Sequence, residues 1–175
     1  HWREVNWIGD TIEDLSIHLS PDADFGGCQA TSKSTSGCYF CVYGESTRFG
    51  LAGSSKAQTV VSHSTPEAEI VSADYGLRTT GLPALTLWRT LLGWNNKNVN
   101  ITVHEDNAAM TQVMNTGKNP TMRGIGNMHG VSINRLKEAF DKDWNSLVKE
   151  DTNTMAGDIF TKAFDNKENG PMPVE

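Results

Sequence analysis

The order in which extended and helical patterns follow one another constrains this chain most. Ser16–Ser20 alternates apolar and polar residues, Gly37–Tyr43 is rich in aromatic and β-preferring side chains, and Thr47–Ala52 reads as a returning strand after the Gly44-Glu45-Ser46 turn. No helical pattern lies between these three stretches. Beyond residue 64 the picture changes. The extended stretches Asn100–Glu105 and Ser146–Val148 are each reached through helical patterns. Strands joined by short loops pair antiparallel, and strands joined through a helix pair parallel by crossover. The order therefore predicts an α/β chain with a mixed five-stranded sheet, three antiparallel strands first and parallel additions after, flanked by helices.

Local signals place the helices. Ser64-Thr65-Pro66-Glu67 is a helix start: Ser64 suits the N-cap, Pro66 the first turn, and Glu67 completes a capping box. Ala68, Ile70, Val71, Ala73, Tyr75 and Leu77 carry that helix, and Gly81-Leu82-Pro83 predicts a kink or break. Leu85, Leu87, Trp88, Leu91 and Leu92 resume an apolar helix that Gly93 would end. Asp106-Asn107 closes the strand at 100–105, taken as the central one, and opens a helix through Met110, Val113 and Met114. Gly117–Gly126 reads as a loop, Val131–Phe140 as a basic amphipathic helix and Thr154–Phe164 as a last helix. Residues 1–15 space Trp2, Trp7, Ile8 and Ile12 as a short helix packed on the domain, Gly53–Lys56 reads as a loop, and Thr59–Val61 as extended. The tail, residues 165–175, is expected to be disordered.

Composition narrows the class. A length of 175 residues with 37% hydrophobic residues suits one soluble domain, 16–164, with a single core. No run approaches the roughly 18 apolar residues of a membrane span. Three cysteines are too few and odd in number for a disulfide framework, so a reducing compartment is favoured. Cys38 and Cys41 have CxxC spacing but lie in an apolar strand with no second ligand pair, which reads as core. The net charge of −6 opposes nucleic-acid binding if taken whole. Two divalent cations among the acids would cancel four of those charges, and Lys118, Arg123, Arg135, Lys137, Lys142 and Lys149 gather basic charge in one stretch.

Four acids share a context. Asp22 ends the first strand just before Gly26-Gly27, Glu69 opens the first long helix, Asp106 follows the strand at 100–105, and Asp158 lies early in the last helix. If the strands of Asp22 and Asp106 are neighbours, their C-terminal ends lie together, where α/β sheets place ligands. Gathered carboxylates repel unless cations separate them, and oxygen-only donors suit Mg²⁺ or Mn²⁺ rather than zinc. Two such ions activate water and stabilise the leaving oxygen of a phosphodiester. Each acid alone also has an ordinary reading: Glu69 and Asp158 as helix-dipole partners, Asp106 as an N-cap.

Four blocks carry a resemblance. They are Asp22-Ala23-Asp24-Phe25 with Lys33-Ser34-Thr35-Ser36-Gly37, Ser62-His63-Ser64-Thr65-Pro66-Glu67-Ala68-Glu69, Glu105-Asp106-Asn107, and Ala156-Gly157-Asp158-Ile159-Phe160-Thr161-Lys162. In order and spacing this set resembles the ribonuclease H domain of copia-type LTR-retrotransposon polyproteins, over about residues 20–164. The resemblance implies a ribonuclease H-like fold and hydrolysis of the RNA strand of RNA–DNA hybrids during reverse transcription. It implies that Asp22, Glu69, Asp106 and Asp158 are the catalytic, metal-binding acids for two Mg²⁺ or Mn²⁺, with Asp24 and Glu67 as rival choices within their motifs. Gly26, Gly27 and Asn107 would approach the RNA backbone or its 2′-hydroxyls. Residues 1–15 would be a connection segment from an adjacent reverse transcriptase domain. The setting would be a monomeric domain, off the membrane, in the cytoplasmic virus-like particle of the element. A non-catalytic nucleic-acid-binding domain and a DNA strand-transfer nuclease of the same fold are the alternatives.

Overall fold

The computed structural model describes residues 5–91, 100–118, 122, 124–141 and 145–162. Its five strands are β1 (Ser16–Asp24), β2 (Thr35–Tyr43), β3 (Arg48–Ala57), β4 (Ile101–Glu105) and β5 (Asn145–Lys149), in the spatial order β3-β2-β1-β4-β5. β1 pairs antiparallel with β2 from Ser16 opposite Tyr43 to Asp24 opposite Thr35, and β3 pairs antiparallel with β2. β4 then adds to β1 in parallel, Ile17 opposite Ile101, and β5 adds to β4 in parallel. The mixed sheet expected from the order of elements is the one observed. β1, rather than β4, is its centre, and β4 is interior with a partner on each side.

Helices cover one face. α1 (Thr65–Gly76) opens on Ser64, whose Oγ accepts from Glu67 N. The Glu67 carboxylate reaches back to His63 N at 3.1 Å rather than to the N-cap residue itself. The expected break at Gly81-Leu82-Pro83 is a change of pitch. A π-helical stretch, Leu77–Gly81, runs straight into α2 (Leu82–Leu91), and Leu82 N donates to Leu77 O five residues back. A wider turn absorbs a proline without ending the helix. α3 (Ala108–Thr116) ends at Gly117 in the left-handed region, φ 65°. α5 (Ile133–Phe140) is capped by Ser132, so Val131 precedes the helix although it is buried. The core lies between α1, α2, α3 and the sheet, around Ile17, Leu19, Cys38, Phe40, Ile70, Leu77, Ile101, Val103, Met110 and Met114. Each large aliphatic side chain buried there contributes about 1.5–3 kcal/mol. Cys38 and Cys41 are buried and free, as a core reading requires, and burial pushes the Cys38 thiol up to about 12.

Several local expectations fail for physical reasons. Gly53–Lys56 belongs to β3 and is not a loop. Its small residues make room for packing: a Cβ on Gly53 would stand 2.2 Å from the Phe160 ring, which stacks on Tyr39. Thr59–Val61 is bent rather than extended, and Gln58 instead joins the elements, donating through Nε2 to Ser36 Oγ and Ala68 O. The stretch read as a loop at 117–126 contains the start of α4 (Ile125–His129). Residues 5–15 form only a 3₁₀ turn, Ile12–Asp14, and Val5 and Trp7 are exposed. Side-chain bonds hold this segment to the β2–β3 turn, Asp10 accepting from Ser46 N and Gly9 N donating to Thr47 Oγ1. The last helix is replaced by 3₁₀ turns at Thr152–Thr154 and Ala156–Phe160. Gly157 presses on the sheet so closely that a Cβ there would lie 2.6 Å from Ser20 O. Residues 163–164 of that expected helix, Gly93 and the tail at 165–175 lie outside the described residues. Among the described residues no helix is long and apolar enough to cross a membrane.

Candidate metal centre

Strand pairing builds the site. β1 and β4 run parallel as neighbours, so Asp22 on β1 and Asp106, the residue after β4, emerge on one edge. α1 crosses the same edge and delivers Glu69. Ser72, also on α1, fastens helix to sheet by donating its hydroxyl to Asp22 O (2.6 Å) and Gly37 O (3.1 Å). One carboxylate oxygen from each of Asp22, Glu69 and Asp106 then lies within 4.8 Å of the other two. Asp22 and Glu69 are buried, at 5% and 4% exposure. Asp22 sits two residues before the end of β1 rather than at its end, because β1 pairs on through Asp24.

The sheet's other face supplies the remaining parts. The turn Ala156–Phe160 packs on β1, β2 and β3 there, and Thr161 donates its hydroxyl to Asp22 Oδ2 at 2.6 Å. Asp158 stands beside Asp22 and its charge acts on it. Asp158 is not one of the three converging acids, and it is ion-paired with Lys162. Three of the four acids expected to share a site therefore converge, and the fourth flanks them with its own counter-charge.

Burial and mutual repulsion dominate the electrostatics. Burial, with the charges of Glu105, Asp22 and Asp106 added, pushes the Glu69 carboxyl up to about 10. Burial, with the charges of Asp158 and Asp106 added and the hydrogen bond from Thr161 opposing, raises Asp22 to about 6. Such carboxyls ionise together only when a cation joins them. The donors are all carboxylate oxygens, the set that hard divalent ions such as Mg²⁺ and Mn²⁺ prefer. The residues present thus fit the expected metal.

The sequence reading passed over Glu105. It ends β4, is 0% exposed, and its Oε1 accepts from Asn107 N at 3.0 Å. Its Oε2 is buried with no hydrogen-bond partner among the described residues. Burial pushes this carboxyl to about 8, opposed by the Asn107 N–H and assisted by Asp106 and Asp22. The legible signal was alternation: Ile101, Val103 and Glu105 share the buried face of β4, an acid where an apolar residue belongs.

The residues expected to meet a substrate all have local work. Gly26 takes φ 66°, and its N–H donates to Ser34 Oγ. A Cβ on Gly27 would collide with the Asp24 carboxylate, which folds over it. Asn107 caps α3, its Oδ1 accepting from Ala109 N and Met110 N. Glu67, the rival to Glu69, lies 3.2 Å from His129 Nε2 without hydrogen-bond alignment and stands outside the acidic trio. Of the basic stretch, Lys137 is ion-paired with Asp141, and Arg123 and Lys142 lie outside the described residues.

A second polar array crosses β1 and β4 farther from the edge. His18 Nδ1 meets His104 Nε2 at 2.7 Å, and His104 Nδ1 meets Glu150 Oε2 at 2.7 Å. Ser16 Oγ stands 2.7 Å from His18 Nε2, and Thr154 Oγ1 donates to Glu150 Oε1.

No protein-family model matches the chain, and no curated protein matches it. Solved structures do. Ribonuclease H1 from the halophilic archaeon Halobacterium salinarum is 12% identical, with a TM-score of 0.54 over 83% of this chain and 94% of that one. The N-terminal ribonuclease H domain of Rv2228c from Mycobacterium tuberculosis is 13% identical, with a TM-score of 0.52 over 84% and 91%. LC11-RNase H1, described in complex with an RNA/DNA hybrid, is 15% identical, with a TM-score of 0.50 over 84% and 93%. With the strand order and the mixed pairing, these likenesses give the chain a ribonuclease H-like fold.

Proposed function

We propose that the chain is a metal-dependent endoribonuclease that hydrolyses the RNA strand of RNA–DNA hybrids. The observation that carries this reading is the convergence of Asp22, Glu69 and Asp106, three carboxylate oxygens within 4.8 Å on one edge of the sheet. The fold supports it, as does a neighbour of the same fold described with an RNA/DNA hybrid. Two Mg²⁺ or Mn²⁺ ions, when bound, supply an activated water and charge compensation at the leaving oxygen. Asp22, Glu69 and Asp106 would hold them, with Asp158 as the fourth acid. Thr161 holds the Asp22 carboxylate in place, and Ser72 holds the backbone that carries it. Gly26, Gly27 and Asn107 would approach the RNA backbone or its 2′-hydroxyls. The setting we propose is reverse transcription of a copia-type LTR retrotransposon, in the cytoplasmic particle, beside a reverse transcriptase domain.

The test is a labelled RNA–DNA hybrid incubated with the protein and Mg²⁺ or Mn²⁺, alongside Asp22→Asn and Asp106→Asn. Metal-dependent cutting of the RNA strand by the wild type alone is expected. Binding without cleavage at every metal concentration would leave a non-catalytic binding domain. Cutting of duplex DNA would point to the strand-transfer class.

A further inference from the structure

Glu105 is anomalous for a residue at the end of an interior strand. It lies on the buried face of β4 with Ile101 and Val103, at 0% exposure. An acid there needs partners, since an unpaired buried polar atom costs about 1–3 kcal/mol and more if charged. One oxygen has a partner, the N–H of Asn107. The other, Oε2, has none among the described residues. The nearest charges are carboxyls: Glu105 is the foremost charged neighbour of Glu69, and the charges of Asp106 and Asp22 act on Glu105 itself. Asp22 and Glu69, the buried acids whose charges interact with Glu105, belong to the converging trio. An acid that repels the carboxyls around it and leaves one oxygen bare is explained by something that arrives between them.

We propose that Glu105 is part of the cation site: an outer carboxylate, behind Asp106 and Glu69, whose negative charge and free oxygen strengthen binding of a divalent ion. This rests on the metal reading above. It goes beyond the four acids that the resemblance implies, none of which is Glu105. Glu105 is not among the three acids whose oxygens converge, so it is a positioning residue rather than a direct ligand. It acts by two routes. Its Oε1 holds the N–H of Asn107, which fixes the turn that carries Asp106. Its Oε2 offers charge and an acceptor to the shell around the ion, the position from which outer partners tune metal affinity.

The competing account is a permanently neutral acid that merely fills the strand end. Glu105→Gln separates the two, because the amide keeps the shape and the Oε1 acceptor while it removes the charge and turns the Oε2 position into an N–H donor. The readout is Mn²⁺ affinity by isothermal titration calorimetry, without nucleic acid. Glu105→Gln is expected to weaken Mn²⁺ binding by about 10- to 100-fold, and Glu105→Asp, which keeps the charge, to weaken it less. The metal-free melting temperature of Glu105→Gln is expected to equal or exceed that of the wild type. Mn²⁺ affinity in Glu105→Gln equal to or tighter than wild type overturns the proposal. Should Glu105→Gln fail to fold, Glu105→Asp and Glu105→Ala provide the same charged and uncharged pair, and equal affinities in that pair overturn it. If the wild type itself binds no Mn²⁺, the metal reading falls, a result distinct from failure of Glu105 alone.

Discussion

Two polar arrays join β1 to β4, and they are built on opposite logic. In the inner one, the carboxylate of Glu150 accepts from His104 Nδ1–H, which leaves His104 Nε2 to accept from His18 Nδ1–H, and His18 Nε2 faces Ser16. Donors and acceptors alternate, and both rings are satisfied while neutral. Burial, aided by His104 and Arg48, lowers His18 to about 4, which keeps it uncharged near neutrality. At the edge, Asp22, Glu69, Asp106 and Glu105 bring acceptors to acceptors. The inner array is complete as it stands and ties strands together. The outer one gathers carboxyls against one another, and that contrast is what makes it the candidate site.

The largest expected effect follows from that difference. Asp22→Asn or Asp106→Asn should reduce metal-dependent hybrid cleavage by about 10²–10³-fold or more. Glu150→Gln, in the inner array, should leave the initial rate within about threefold, in keeping with a non-catalytic role. Comparable losses from both arrays would dissolve the distinction.

Next is the pH dependence of stability without metal. Unfolded carboxyls titrate near 4, whereas Asp22, Glu105 and Glu69 titrate near 6, 8 and 10 in the fold. The folded state therefore binds more protons than the unfolded state over this window. By linkage its stability is greatest below about pH 4 for these groups and falls as pH rises toward 8. The melting temperature of metal-free protein should drop by several degrees between pH 5 and 8, on the order expected for a few kcal/mol in a chain of this size. Saturating Mg²⁺ should flatten that slope, because it stabilises the ionised site. A metal-free melting temperature that rises across the same range would contradict the arrangement.

The sheet and the acidic trio were legible in the sequence, and their relation to the rest was not. Asp22, Glu69 and Asp106 could be placed together on the condition that their strands are neighbours, and the parallel pairing of β1 with β4 meets it. Asp158 reaches the side of Asp22 by another route than the expected α-helix, on a 3₁₀ turn pressed against Ser20 O and Asp22 and ion-paired with Lys162. Glu105 was hidden by its neighbour: Asp106 drew the motif, while the alternation Ile101, Val103, Glu105 went unread. Gly53-Ser54-Ser55 imitated a loop because small residues serve turns and close packing alike, and only the Phe160 ring shows which applies. The N-terminal helix failed because the segment's ties run from Gly9 and Asp10 to the β2–β3 turn, long-range bonds that spacing does not encode.

Thr161 links the two faces of the site and gives a smaller effect. Thr161→Val removes the hydroxyl that Asp22 Oδ2 accepts from and keeps the side chain's shape. A buried hydrogen bond to a carboxylate contributes about 1.5–3 kcal/mol. Loss of stability of that order by urea unfolding is expected, with a several-fold weaker Mn²⁺ affinity because the carboxylate is no longer held. Unchanged affinity would mean that Asp22 keeps its orientation from the strand alone.

The smallest effect is the most informative about the inner array. Glu150→Gln keeps one acceptor, for His104 Nδ1–H, while its NH2 faces a Thr154 hydroxyl that can turn to accept, so the expected cost is only about 0.5–1.5 kcal/mol. Mn²⁺ affinity should stay within about twofold. The same residue is anchored through its backbone, Glu150 N donating to Glu105 O, which places the inner array one peptide away from the metal edge. If Glu150→Gln weakened Mn²⁺ binding as Glu105→Gln is expected to, the displacement would have travelled through that peptide. The two arrays would then be one unit, with the histidines setting the position of β4 and hence of Asp106. Stability that falls while affinity holds is the result that keeps them separate.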